Sequence, residues 1–199
     1  MKKNFFIFIF VFLSLFITTT TFAYSSDPKK FIGEIVDEAK KILVATNSKE
    51  FKEKELSAIA LRAADIKGIG FYTLGPIRKT LNSDQKKEYL KLFNNYFLKS
   101  FSSRLAEYTN PEIDVLGKDI LNEKYTIVKS LLKGTKDRPE VKIDWRIYTK
   151  NPENPLIRDL IIEGLSLART QKEEFASILN SNNSDINVLF QTLEKFSNN

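Results

Sequence analysis

The 199-residue sequence predicts an α+β fold in which helices pack against one face of a four-stranded antiparallel sheet. Three observations predict it. Apolar residues recur with a helical period from Asp27 to Tyr108, the period shortens to two after Pro111, and it lengthens again after Arg169. The apolar faces of the two layers admit two arrangements: a solid core, or an incompletely closed interface enclosing an apolar cavity. No internal repeat or long linker interrupts residues 24–199, which read as a single domain.

Residues 1–23 read as a cleaved signal peptide. Lys2 and Lys3 precede an apolar run over residues 5–17, 13 residues against the roughly 20 of a spanning helix, and Thr21-Phe22-Ala23 is a small-x-small cleavage site. Cleavage after Ala23 removes two lysines, so the net charge falls from +6 to +4, and it removes seven of the 16 phenylalanines. Such a chain is exported, to the periplasm in a Gram-negative cell. It contains no cysteine, so its core must suffice without disulfides.

Asp27-Pro28 is an N-cap followed by Pro at the first helical position, and Phe31, Ile35, Ala39 and Ile42 carry the helix that follows. A second helix is expected over residues 48–64. A third, over residues 65–74, contains Gly68 and Gly70 and stops at Gly75-Pro76. Ser83 is expected to cap a long helix of about 25 residues, striped by Leu90, Phe93, Phe97, Phe101, Leu105 and Tyr108. Strands are expected to begin at Ile113 and to cover residues 125–132, 141–147 and 156–167. In the third, Val141, Ile143, Trp145 and Ile147 face one way and Lys142, Asp144 and Arg146 the other. Thr170-Gln171-Lys172-Glu173 has the pattern of a capping box, ahead of Phe175, Ile178 and Leu179. Asp185 opens a last helix with Ile186, Leu189, Leu193 and Phe196.

The same composition excludes much chemistry. Without histidine or cysteine there is no His-based triad, thiolate nucleophile or zinc-finger site. No phosphate-binding glycine loop or DxDxDG pattern occurs. Gly164-Leu165-Ser166-Leu167-Ala168 lacks the second glycine of a nucleophile turn. Asp119, Glu123 and Asp159 are the carboxylates the sheet is best placed to gather; Glu173 and Glu174 are explained by the first turn of a helix. Lys29-Lys30 and Lys86-Lys87 are isolated pairs, too dispersed for a nucleic-acid footprint. The sequence therefore predicts no enzyme, no cofactor, no metal and no nucleic acid. What remains is an apolar and aromatic surplus on one strand face and one helix stripe.

Four stretches carry a resemblance. They are Asp65-Ile66-Lys67 through Leu74-Gly75; Leu81-Asn82-Ser83-Asp84-Gln85 followed by Tyr89, Phe93 and Phe97; Leu105-Ala106-Glu107-Tyr108; and Ile162-Glu163-Gly164-Leu165-Ser166-Leu167 followed by Phe175. With their order, they resemble the MlaC family, periplasmic phospholipid-binding components of MCE-linked (Mla) lipid transport systems, also called the toluene-tolerance auxiliary family. The sequence departs from the family's pattern at Pro76-Ile77-Arg78 and at Pro155-Leu156-Ile157, where the family carries aromatic residues. The resemblance implies an apolar cavity between helices and sheet, with Ile66, Ile69, Leu74, Phe93, Phe97, Phe101, Val141, Ile143, Trp145 and Ile147 near it. It also implies a monomeric carrier shuttling a diacyl glycerophospholipid between an outer-membrane lipoprotein complex and an inner-membrane MCE-domain protein with its ABC transporter. Contact with membranes would be transient, and the process would support outer-membrane lipid asymmetry. The alternative is a ligand-free periplasmic adaptor that binds a membrane-complex partner.

Overall fold

The computed structural model describes residues 24–136 and 138–198. The signal peptide expected over residues 1–23 lies outside the described residues.

Helix α1 (Pro28–Val44) starts where Asp27 accepts the backbone N–H groups of Lys29 and Lys30, each at 3.0 Å. Ser48 caps α2 (Lys49–Ala63), and Asp65 caps α3 (Ile66–Thr73) through Gly68 N at 2.8 Å. A 3₁₀ turn, Gly75–Lys79, leads to α4 (Ser83–Leu105). The cap of α4 is Asn82 rather than Ser83: Asn82 Oδ1 accepts from Asp84 N and Gln85 N, while Gln85 Oε1 accepts from Asn82 N at 3.0 Å. This reciprocal pair satisfies three otherwise unpaired N–H groups, which a serine one residue later does not match.

The sheet is a meander in the order β1-β2-β3-β4-β5, all antiparallel: β1 (Ile113–Asn122), β2 (Tyr125–Leu132), β3 (Val141–Tyr148), β4 (Leu156–Ile162) and β5 (Leu165–Ser166). The expected fourth strand thus divides into two, giving five strands. Glu163 and Gly164 adopt positive φ (49° and 82°), which reverses the chain after Ile162 in a two-residue turn. Helix α5 (Leu167–Asn180) begins directly after β5, with Ser166 as its cap. The expected capping box at Thr170 therefore lies inside the helix, where Thr170 Oγ1 donates to Ser166 O. Helix α6 (Ile186–Asn198) completes the described chain.

The core divides in two. A helical cluster joins α3, α4, α5 and α6 through residues including Ile69, Tyr89, Phe93, Phe175 and Leu189. A sheet cluster joins α1 and α2 to β2 and β3 through Phe31, Ile35, Leu56, Ile59, Val128, Trp145 and Ile147. Tyr89 sits in the first, with its hydroxyl hydrogen-bonded to Thr73 Oγ1 at 2.9 Å and to Gly70 O at 3.1 Å. Burial pushes its phenol well above the usual tyrosine range. Tyr24 packs edge-on against Phe31 beside the second cluster and donates to Glu38 at 2.5 Å. Burial, with help from that carboxylate, pushes its phenol up to about 12.

Gly70 is where α3 meets α4. A Cβ there would stand 2.8 Å from Phe93 Cδ1 on a stacked aromatic row, whereas a Cβ at Gly33 in α1 meets nothing within 4 Å. Gly70→Ala is expected to destabilise the protein by about 1–3 kcal/mol through overpacking. Gly33→Ala is expected to stabilise it by about 0.5–1 kcal/mol through helix propensity. Urea denaturation midpoints check both, and equal shifts would contradict the close approach of α3 and α4.

Candidate apolar binding site

The register of the sheet places its apolar face in rows. Thr126 faces Ile147, Val128 faces Trp145 and then Leu160, Ser130 faces Ile143 and then Ile162, and Leu132 faces Val141. Cover over these rows declines in one direction. Ile147 and Val128 are fully buried and Trp145 is 9% exposed, whereas Ile143, Val141 and Leu132 are only half-buried. Helices α1 and α2 close the first rows, and their packing runs out toward Val141.

Helix α4 runs from the helical cluster to the sheet cluster. Its extended backbone contacts are with α2, α3 and α6. Its N-terminal half belongs to the helical cluster through Tyr89, Leu92 and Phe93, whereas Leu105, with Ala106 and Tyr108 beyond it, packs against the sheet cluster. Between these points Phe97 stacks on Phe101, with centroids 6.0 Å apart and planes within 4°. Both rings are half-buried.

At the poorly covered end an opening of about 500 Å³ lies between two connections. Tyr108, Thr109, Asn110, Pro111 and Glu112 after α4 form one wall, and the β2–β3 loop from Lys133 to Thr135, with Arg138 and Pro139, forms the other. Leu132 and Val141, a cross-strand pair, line it from the sheet. Its size falls in the range of about 300–1,000 Å³ usual for small-molecule pockets.

Of the ten residues placed near the cavity from sequence, Val141 lines this opening. Ile143, Trp145 and Ile147 follow it inward on the same face of β3, two residues or about 6.6 Å apart. Phe97 packs against the helical cluster and stacks on half-buried Phe101. Ile66, Ile69, Leu74 and Phe93 are buried in the helical cluster. Tyr108, Leu132 and Arg138 were missed as site residues. Leu132 had a usable signal, because it ends the strand before the 133–140 loop and Val141 begins the next, and the two pair across the strands. Arg138 had none, since the direction of a loop side chain is set by tertiary packing.

The polar groups on the apolar face pair with one another, whereas Arg146 Nε on the opposite face is buried without a hydrogen-bond partner. Trp145 Nε1 donates to Ser130 Oγ at 2.8 Å, and Ser130 Oγ donates to Ile143 O at 3.0 Å, so the deepest polar atoms on the apolar face satisfy one another. Asp119 and Asp159 share one row on the opposite face, separated by Ile127 and Arg146, roughly 14 Å at strand spacing. Asp119 is paired to Lys129 at 2.5 Å. Asp159, 5% exposed, accepts from Ser166 Oγ at 2.6 Å and Ala168 N at 3.0 Å, which fixes the start of α5. Among the described residues no group of three or more acidic side chains is placed to hold a metal ion, and no helix is long and apolar enough to cross a membrane.

An antiparallel meander packed with helices, its apolar face losing cover toward the Leu132–Val141 pair at the rim of an opening, defines an α+β architecture. The chain belongs to the MlaC family: residues 33–195 match the family described as MlaC protein. Its fold is similar to that of a phospholipid-binding protein from Ralstonia solanacearum, solved in complex with a phospholipid. The TM-score is 0.70 at 18% sequence identity, and the match covers 83% of this chain and 94% of that one.

Ser130→Ala removes the acceptor of the buried indole N–H. It is expected to cost about 1–3 kcal/mol in urea unfolding, the penalty of an unsatisfied buried donor. A change of only a few tenths would mean that Trp145 finds water at this depth.

Proposed function

We propose that this protein is a soluble periplasmic carrier of a diacyl glycerophospholipid. It would be exported by a signal peptide over residues 1–23 and fold as one lipid-binding domain over residues 24–199. The observation that carries this reading is the decline in cover along β3, from Ile147 at 0% exposure to half-buried Val141 at the rim of the opening. Membership of the MlaC family and a fold shared with a phospholipid complex support the choice of ligand.

The thermodynamics match the task. Two acyl chains of about 15 methylenes each, at about 0.8 kcal/mol per methylene, represent about 24 kcal/mol that water exposure would cost. An apolar sheet face with half-buried Leu132, Val141, Ile143 and Phe101 offers chains a place to replace that water. Transfer between membranes breaks no covalent bond, so the reading requires no nucleophile and no cofactor. The ten positions from Ile66 to Ile147 named from sequence remain the proposed neighbourhood of the ligand. Val141 stands at its rim, Ile143 and Trp145 lie along the tails, and the helical-cluster members pack behind. The partners implied are an outer-membrane lipoprotein complex that hands over or receives the lipid and an inner-membrane MCE-domain protein with its ABC transporter. The protein works as a monomer touching membranes transiently.

Mass spectrometry of an organic extract of the purified protein tests the reading. Wild-type protein is expected to carry diacyl lipid near one per chain. Ile143→Asp, which puts a charge on the tail face, is expected to lower occupancy at least tenfold in folded protein, because burying an unpaired carboxylate costs several kcal/mol. Lys129→Ala, on the opposite face, is expected to leave it unchanged. Absence of lipid from the wild type would favour the adaptor reading, and equal occupancy in all three would overturn this placement of the tails.

A further inference from the structure

The opening has two basic side chains on its rim, Lys133 and Arg138. Lys133, on one wall, is held between Glu112 and Asp114, each at 3.5 Å. Arg138, on the same loop, forms no ion pair among the described residues; its guanidinium lies 5.3 Å from the ring centroid of Tyr108 on the opposite wall. The side chain thus reaches across the mouth and rests on an aromatic face. Such a contact is worth roughly 0.5–1 kcal/mol where exposed, less than a charge-assisted hydrogen bond to an anion.

The loop that presents Arg138 is tightly built. Thr135 N donates to Arg138 O at 2.8 Å, closing the turn. Gly134 lies so close beneath it that a Cβ there would meet Glu140 N at 2.9 Å and Arg138 O at 3.0 Å. The backbone of Arg138 is therefore pinned at the rim while its side chain stays exposed. The lining combines apolar Leu132, Val141, Pro111 and Pro139 with polar Thr109, Asn110 and Thr135, and its one carboxylate, Glu112, is paired with Lys133. A cation fixed at the border between water and a partly apolar slot is matched by an amphiphile with an anionic group at the head of its chains.

We propose that Arg138 binds the phosphate of the bound lipid, exchanging the Tyr108 ring for a phosphate oxygen when the chains are in place. The proposal rests on the lipid-carrier reading above and deepens it. Arg138 is the residue that distinguishes a phospholipid from an uncharged diacyl lipid with the same chains. Guanidinium suits this role because its planar fork binds phosphate through two N–H groups at once, in any head group that retains the phosphodiester.

The test uses delipidated full-length mature protein and follows the emission of Trp145, the single tryptophan of the chain. Two lipids with identical chains are titrated, phosphatidylethanolamine and diacylglycerol. For the wild type, phosphatidylethanolamine is expected to bind more tightly. Arg138→Gln is expected to weaken phosphatidylethanolamine about tenfold, the loss of one charged hydrogen bond, and to leave diacylglycerol within twofold. Arg138→Lys is expected to fall between. Glycerophosphoethanolamine, which has the phosphodiester but no chains, is expected not to displace the lipid at millimolar concentration.

Equal weakening of both lipids by Arg138→Gln would overturn the proposal and leave Arg138 as a rim residue that only shapes the loop. No change with either lipid would also overturn it. Displacement by glycerophosphoethanolamine would overturn it in favour of a site for free phosphodiesters. Failure of the wild type to bind either lipid would instead sink the carrier reading itself, so the two failures are told apart.

Discussion

The structure turns on an apolar sheet face that its own helices do not finish covering. A sheet with one hydrophobic side must bury it, and the usual answer is a second layer along its full length. Here α1 and α2 bury the rows from Ile147 to Trp145, and beyond them the face continues through Ile143 to Val141 with half the protection. Exposed apolar surface of this kind is costly to keep in water and is a standing attraction for an apolar guest. The opening beside the α4–β1 connection stands where this cover ends.

The helical cluster is attached to the sheet at β4. Residues 64–65 join the sheet beside β4, with Asp65 N bonded to Ile157 O at 2.9 Å. Asp65 also accepts from Arg158 Nε at 2.7 Å, and the same guanidinium takes Tyr125 Oη at 2.9 Å and lies 3.8 Å from the Tyr148 ring centroid. One residue on, Asp159 ties the start of α5 to the strand. Both attachments of the helical cluster thus sit on consecutive residues of one strand, while α1 is anchored near the other edge through Asp27 and Lys118. At the Leu132–Val141 end the contact across the mouth is that of Arg138 with the Tyr108 ring.

Much of this was legible in the sequence, for identifiable reasons. Strict alternation in Val141-Lys142-Ile143-Asp144-Trp145-Arg146-Ile147 fixed which side chains share a face, because strand geometry leaves no other choice. Asp27-Pro28 and Ser48 marked helix starts correctly because capping chemistry is local. The start of α5 was misplaced because two residues with positive φ, Glu163 and Gly164, turn the chain early and make Ser166 the cap. The division of the ten apolar positions between a sheet face and a separate helical cluster was hidden as well. Ile69 and Ile143 look alike in a pattern, and only tertiary packing assigns one to the helical cluster and the other to the sheet cluster. The rim was the least legible part, since Arg138 and Tyr108 meet through two loops 30 residues apart.

The most direct measurement is a depth gauge built on Trp145, about 13 Å along β3 from Val141. Phosphatidylcholines brominated either near the glycerol or near the chain ends are bound to delipidated protein, and quenching of the indole is compared. If tails run inward from the mouth along β3, terminal bromines quench strongly and those near the glycerol weakly. Quenching in the reverse order, or none from either lipid at saturating occupancy, would contradict a cavity lying between the long helix and the sheet.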